Sequence, residues 1–139
     1  MPLMDASLGA KFLRGTPFAT YTTTQTTSDL DTQGYRFAVV LLECGTFTGD
    51  ETLDLKVQAA TTSGGSYSDV TGAAFTQIST SNDAAVYFGV LRLDGAGRYL
   101  QLVGTQAGTG NALYSAHILL THAATSELVA AADDADWVV

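Results

Sequence analysis

The sequence predicts an all-β fold: an antiparallel β-sandwich or jelly-roll-like barrel with an extended N-terminal arm and a short C-terminal tail. Three observations predict it. Apolar and polar residues alternate in short segments, most clearly over residues 52–60. Turns rich in Gly, Asn and Asp recur at intervals of roughly ten residues, as in sandwiches and barrels. Between these turns, no segment has the apolar spacing of an amphipathic helix.

Composition indicates one domain with few charges. A chain of 139 residues is too short to divide into two pieces with separate cores. Charged residues make up 14% of it, against about 25% in a typical soluble domain, and the net charge is −8. Because no segment has a cluster of Lys or Arg, a nucleic-acid partner is not expected. No apolar run approaches the roughly 20 residues that cross a bilayer, so a membrane partner is not expected either.

The first element in chain order is the predicted N-terminal arm, residues 1–30. Residues 16–27 are rich in Thr, a β-branched residue that favours extended chain. This segment fits either an edge strand or an extended arm that pairs with a neighbouring molecule. Lys11 and Arg14, two of the six basic residues, lie in the arm. The start of the chain lacks a basic region followed by a long apolar stretch, so a signal peptide is not expected.

The predicted sandwich domain covers residues 31–122. Residues 35–44 are apolar on both faces, which is typical of a central strand that is covered on both sides. In residues 52–60, Leu53, Leu55 and Val57 point one way and the intervening polar residues point the other. Two short strands are expected on either side of Thr71-Gly72. Three further strands complete the set, over residues 85–93, 99–105 and 113–121.

The predicted tail, residues 123–139, has a different composition. Residues 123–132 favour a helix, with Ser126 as a possible N-cap. An acidic spacer follows, and the chain then ends with its single Trp in Trp137-Val138-Val139. Two interpretations stay open. The tail could fold onto its own domain, or Trp137 could anchor it in another subunit, since Trp is enriched among interface hot spots.

The polar residues do not form a recognisable catalytic or cofactor-binding pattern. His117 and His122 are five residues apart, an odd offset that places them on opposite faces of a strand unless His122 already lies past its end. No cofactor and no metal site are therefore expected, and the chain is not expected to be an enzyme. The turns at Asp83 and Asp94 offer oxygen ligands of the kind that calcium binds, but a single Asn-Asp or Asp-Gly turn is not specific for calcium. The single cysteine, Cys44, is expected to be a small buried side chain.

Aromatic residues are expected mainly in the core, because most of them lie within predicted strands beside aliphatic residues. Tyr87 and Phe88 are adjacent and so point to opposite faces. One of the two must therefore face a second layer, a ligand or a partner.

Several segments together resemble a family of small proteins of tailed bacteriophages, the head decoration (cement or auxiliary capsid) proteins. The resemblance covers about two thirds of the chain, residues 31–121, and its specificity lies in the order and spacing of the segments. These segments are Asp31-x-x-Gly34-Tyr35, residues 52–59 (TLDLKVQA), residues 67–75 (YSDVTGAAF), residues 98–102 (RYLQL) and residues 118–120 (ILL).

The resemblance implies a structural virion protein on the outside of the capsid, made in the cytoplasm of the host bacterium. Its partners would be the major capsid protein and other copies of itself, commonly as a homotrimer. Two contact regions are hypothesised outside the matched segments: Lys11, Arg14, Phe18 and Tyr21 in the arm, and Trp137, Val138 and Val139 at the end of the chain. The alternative is a host-surface or carbohydrate-binding domain of a tail fibre or spike, which would need an exposed Tyr or Trp platform.

Overall fold

The computed structural model describes residues 9–122 and 135–139, and these residues form a β-sandwich of two sheets. Sheet A has the order β1-β9-β4-β7-β10, and sheet B has the order β2-β8-β5-β6, with β3 also paired to β8. The described residues form no helix, and so they contain no helix that is long and apolar enough to cross a membrane. The strands are β1 (Ala10–Tyr21), β2 (Gln25–Thr26), β3 (Leu30–Asp31), β4 (Phe37–Cys44), β5 (Thr52–Ala60), β6 (Ser68–Ala74), β7 (Val86–Arg92), β8 (Tyr99–Ala107), β9 (Ala112–Thr121) and β10 (Trp137–Val138).

The strand pairs are nested along the chain. β1 pairs with β9, β2 with β8, β4 with β7 and β5 with β6, all in antiparallel orientation. The chain therefore passes repeatedly between the two sheets, and most contacts that hold the sandwich join distant parts of the sequence. β10 differs, because it runs parallel to β7.

The core lies between the sheets and follows the alternation in the sequence. Leu53, Leu55 and Val57 of β5 are buried, while Asp54 between them is exposed, which confirms the predicted strand. In sheet A, Val40 and Leu42 of β4 face the same core. Cys44 is also buried there, as expected.

The predicted break between two strands at Thr71-Gly72 is wrong. The two short strands expected around Thr71-Gly72 are a single strand, β6, that runs through this dipeptide. The register against β5 jumps from Lys56–Ala74 to Gln58–Asp69, so β6 bulges where the break was expected. Gly72 has a φ of +83°, a conformation that glycine adopts without steric cost. The glycine bends the strand and does not end it.

The expected N-terminal arm is also corrected over its described part. β1 is an edge strand of sheet A, paired with β9 from Ala10–Thr121 to Tyr21–Ala112, and the chain then crosses to sheet B. Thr16 and Leu30 are buried. Residues 10–31 therefore belong to both sheets of the sandwich, and a boundary at residue 30 does not separate an arm from them. The sequence left two possibilities open for the Thr-rich segment, and the structure shows that β1 is an edge strand.

The end of the chain folds onto its own domain. Trp137 is buried in the core cluster, where its ring and that of Phe75, the residue after β6 of the opposite sheet, meet at a centroid distance of 5.5 Å in an edge arrangement. The main chain on either side is fixed to β7, because Asp136 N donates to Phe88 O at 2.8 Å and Val139 N donates to Val90 O at 3.0 Å. The expected helix over residues 123–132 lies outside the described residues.

Candidate interaction surface

The outer faces of the two sheets have different chemistry. On sheet B, outward-facing polar groups satisfy one another. Asp69 accepts hydrogen bonds from Lys56 Nζ at 3.0 Å and from Gln58 Nε2 at 2.8 Å. Nearby, Asp54 accepts one from Gln77 Nε2 at 2.9 Å. This is an ordinary solvent-facing sheet surface.

The outer face of sheet A is mainly apolar. Opposed residues in an antiparallel pair point to the same side, so the strand register shows which residues share this face. Val39 of β4 lies opposite Leu119 of β9 on one side and Val90 of β7 on the other. One step along β4, Leu41 lies between His117 and Phe88. We call this surface the A face; it comprises Phe12, Arg14, Phe18, Phe37, Val39, Leu41, Glu43, Val86, Phe88, Val90, Arg92, Ser115, His117, Leu119 and Val138, of which Val90 and Ser115 are themselves buried.

The most exposed large apolar side chains of the described residues all lie on the A face. Phe12 is 45% exposed, Phe18 51%, Val86 65% and Val138 46%. Single exposed apolar residues are common on protein surfaces, whereas a contiguous apolar surface marks a binding site. Because Val39, Leu41 and Phe88 between them are only half-buried, the four exposed side chains surround an apolar centre.

His117 is the main polar group within this apolar centre, and its protonation state follows from its contacts. Its Nδ1 accepts a hydrogen bond from the main-chain N–H of Gly15 at 3.0 Å, so the proton of the neutral ring is on Nε2. The ring also contacts Phe12 at a centroid distance of 5.2 Å. Burial lowers the pKa of His117, the charge of Arg14 lowers it further, and Glu43 opposes them. The A face thus holds a neutral imidazole at neutral pH.

The basic residues on the A face form no ion pair with any described residue. Among the described residues, the two ion pairs are Lys56–Asp69 and Arg98–Asp31, and both involve strands of sheet B. The remaining basic residues, which have no ion pair in that part of the chain, lie in or beside sheet A: Lys11, Arg14, Arg36 and Arg92. Of these four, Arg14 and Arg92 lie on the A face, which therefore combines an apolar centre with two cations that can meet an acidic partner.

The hypothesised contact residues fall into two groups. Lys11, Arg14 and Phe18 are exposed on β1, and Val138 is exposed on β10. The others contact their own domain: Tyr21 packs against Tyr114 and donates to Pro17 O at 2.6 Å, while Trp137 is buried and Val139 packs against the core. The structure thus brings Phe18 and Val138 onto one surface and removes Tyr21 and Trp137 from it.

The sequence analysis did not find most of the A face, although it contained a relevant signal. Residues 35–44 were expected to be covered on both sides because they are apolar on both faces. β4 is indeed central in sheet A, but within the described residues no second layer covers Val39 and Leu41, which remain half-buried. An apolar strand face without a second layer was the available clue. Tyr87 and Phe88 behave as expected, with Tyr87 opposite buried Leu42 and Phe88 on the A face.

The other polar candidates do not converge. His117 is on the A face, whereas His122 lies past the end of β9 with its ring stacked on Tyr35. The carboxylate of Asp83 accepts the main-chain N–H of Phe47 at 2.6 Å, and Asp94 is exposed in a turn. Over residues 9–122 and 135–139, no three His, Cys, Asp or Glu side chains group as metal ligands. Comparison with protein-family models gives no match, and comparison with curated proteins finds no relative.

Proposed function

We propose that this chain is a structural virion protein, a capsid decoration or cement protein that bridges and stabilises major capsid protein subunits on the outside of a phage head. The observation that carries the proposal is the contrast between the two outer faces. Sheet B presents satisfied polar groups, whereas the A face presents exposed Phe12, Phe18, Val86 and Val138 around an apolar centre. An apolar face on one side of the sandwich and a polar face on the other suit a domain that attaches by one side and faces solvent with the other.

The topology supports the same class of protein. We infer a jelly roll from the nested pairs β1–β9, β2–β8, β4–β7 and β5–β6, which resemble one long hairpin wrapped into two sheets. Viral capsid proteins and lectins both use jelly rolls, so the topology supports a virion protein by analogy and does not by itself define the function. The resemblance of residues 31–121 to decoration proteins is the reason for proposing this class of virion protein in particular.

The alternative, a host-surface or carbohydrate-binding domain, is less well supported. Such a domain needs exposed Tyr or Trp rings in one plane. The single Trp of the chain, Trp137, is buried, and Tyr114 is buried as well. The two exposed rings on the A face, Phe12 and Phe18, lack a polar group that could hydrogen-bond a sugar.

The proposal places other copies of the chain beside the major capsid protein as partners, with a homotrimer as the expected assembly. Attachment at several points would make weak individual contacts strong together. We place β1 at the contact with the capsid protein, but through its side chains on the A face. Its free edge is poorly suited to adding a strand, because two register shifts and Pro17 interrupt it.

The experiment is co-sedimentation with particles assembled from the major capsid protein encoded in the same genome. The wild-type chain should bind, and Phe12→Asp and Val138→Asp should each reduce binding strongly because they place a charge on the A face. Val103→Asp is the matched control, since Val103 is a half-buried residue on the outer face of sheet B, opposite Lys56. If the folded wild-type chain does not bind these particles, the proposed function is wrong.

A further inference from the structure

A groove lies at one end of the A face, where β4 and β7 meet a loop and β1 passes nearby. Its volume is about 370 Å³, and it is largely open to solvent. The lining residues are Phe18, Glu43, Cys44, Gly45, Thr46, Ala84, Ala85 and Val86.

Backbone hydrogen bonds hold the loop that lines one side of the groove. Ala84 has a φ of +52°, the one left-handed conformation of a non-glycine residue in the described part of the chain. Backbone strain of this kind persists only where the surroundings fix it. Here Ala84 N donates to Gly45 O at 3.0 Å and Cys44 N donates to Ala85 O at 2.8 Å. These two hydrogen bonds tie the loop at Ala84 and Ala85 to the end of β4.

The groove is lined by two large apolar side chains and one negatively charged side chain. Phe18 and Val86 are both more than half exposed. Glu43 lies opposite Val86 in the strand register and is also exposed. Burial, with smaller contributions from Asp83 and Glu43, raises the pKa of the Cys44 thiol to about 12, so this lining residue is neutral. Glu43 is therefore the sole charged residue among those that line the groove.

We propose that this groove binds a long cationic side chain, Arg or Lys, from a protruding segment of the capsid protein. The aliphatic stem would lie between Phe18 and Val86, and the cationic group would meet the carboxylate of Glu43. An Arg side chain fits best, because its guanidinium can also stack on the Phe18 ring. This inference rests on the proposed function and specifies how the same surface recognises its partner.

The charge layout of the A face gives the contact a direction. Glu43 lies at one end of the β4–β7 pair, opposite Val86, and Arg92 lies at the other end, opposite Phe37. A partner with a cation at one end of its contact and an acid at the other matches this layout in one orientation only. Complementary charges of this kind fix register more than they add affinity.

The test compares the binding of Glu43→Gln, Glu43→Lys and wild-type chains to particles assembled from the major capsid protein of the same genome, at several salt concentrations. Loss of a hydrogen-bonded charge contact should weaken binding about tenfold in Glu43→Gln and further in Glu43→Lys, and Glu43→Gln should have a weaker salt dependence. Asp54→Asn, an exposed acid on sheet B, is the matched control and should bind as wild type.

The outcomes separate this inference from the proposed function. If Phe12→Asp abolishes binding while both Glu43 variants bind as wild type, the A face attaches to the capsid without a cation in the groove, and the inference is wrong. If the folded wild-type chain does not bind, the proposed function itself fails. Because Glu43 is exposed, both variants should fold, and thermal unfolding of each checks this.

Discussion

The indole of Trp137 lies directly over Gly89 and occupies the space that a side chain at that position would need. A Cβ atom added to Gly89 would overlap the six-membered ring of Trp137. Gly89 is paired with Val40 in the middle of sheet A and with Trp137 at its edge. The glycine therefore makes the site into which the end of the chain inserts, and Trp137 closes the core between the two sheets against Phe75.

This relationship predicts the effect of Gly89→Ala. The added methyl group should push the ring of Trp137 away from β7, with a loss of about 1–3 kcal/mol in the free energy of unfolding. Trp137→Ala alone should cost about 3–5 kcal/mol. In the Trp137→Ala background, Gly89→Ala should cost much less, since nothing is left to displace. Urea unfolding of the four proteins measures this coupling. In the Gly89→Ala protein, fluorescence of the single Trp should report its exposure; equal costs in both backgrounds would contradict the contact.

Deleting residues 1–27 should destabilise the sandwich. The deletion removes all of β1 and β2, exposes the edge of β9, and strips Leu13 and Tyr21 from the core that they contact. We expect the free energy of unfolding to fall by at least about 3 kcal/mol. Deletion of residues 1–8 is the control, because it leaves every described strand intact. A stable, cooperatively unfolding product of the longer deletion would show that β1 is dispensable for the fold.

The two corrections to the sequence analysis have one physical cause. Alternation located β5 to the residue, because a strand with one buried face reveals itself locally. The Thr-rich segment of β1 is a half-exposed edge with two bulges, so its pattern does not distinguish pairing with its own sheet from pairing with a neighbour. Likewise, Gly72 indicates a bend, but only pairing with β5 determines that β6 continues through it.

Much of the A face could not be predicted for a similar reason. The sequence shows that residues 35–44 are apolar on both sides, but what lies over each side depends on how the strands are arranged. The exposed residues Phe12, Val86 and Val138 belong to three different strands, and only the register places them on the same side. The groove at Glu43 could not be predicted from the sequence, because its lining combines residues of β1, β4 and β7 with the loop at Ala84, whose φ is positive.

His117 should make stability depend on pH. Its pKa in the folded protein lies below the ordinary value of 6.5, so between these two values the unfolded chain binds more protons. The free energy of unfolding should therefore fall as the pH decreases below about 6.5. In His117→Asn, the amide oxygen can still accept from Gly15 N but cannot titrate in this range, so the difference in stability between about pH 7 and about pH 5 should shrink.

Urea unfolding at the two pH values measures this difference for each protein. The same measurement on His122→Asn, whose ring is exposed and outside the A face, separates the contribution of His117 from that of the other histidine. A His117→Asn protein with the full wild-type pH dependence would show that His117 is not the responsible group.

Ala84 and Ala85 should respond differently to substitution by glycine. Ala84 has a φ of +52°, a conformation that costs an L-residue roughly 1–2 kcal/mol, whereas Ala85 lies outside the left-handed region. Ala84→Gly relieves this strain but adds freedom to the unfolded chain, so stability should be unchanged or rise by up to about 1 kcal/mol. Ala85→Gly has only the second effect and should lose about 0.5–1 kcal/mol. Ala84→Val adds a β-branched side chain to the strained position and should be the least stable of the three. Urea unfolding of the three variants gives the order, and a loss in Ala84→Gly as large as that in Ala85→Gly would show that Ala84 is not strained.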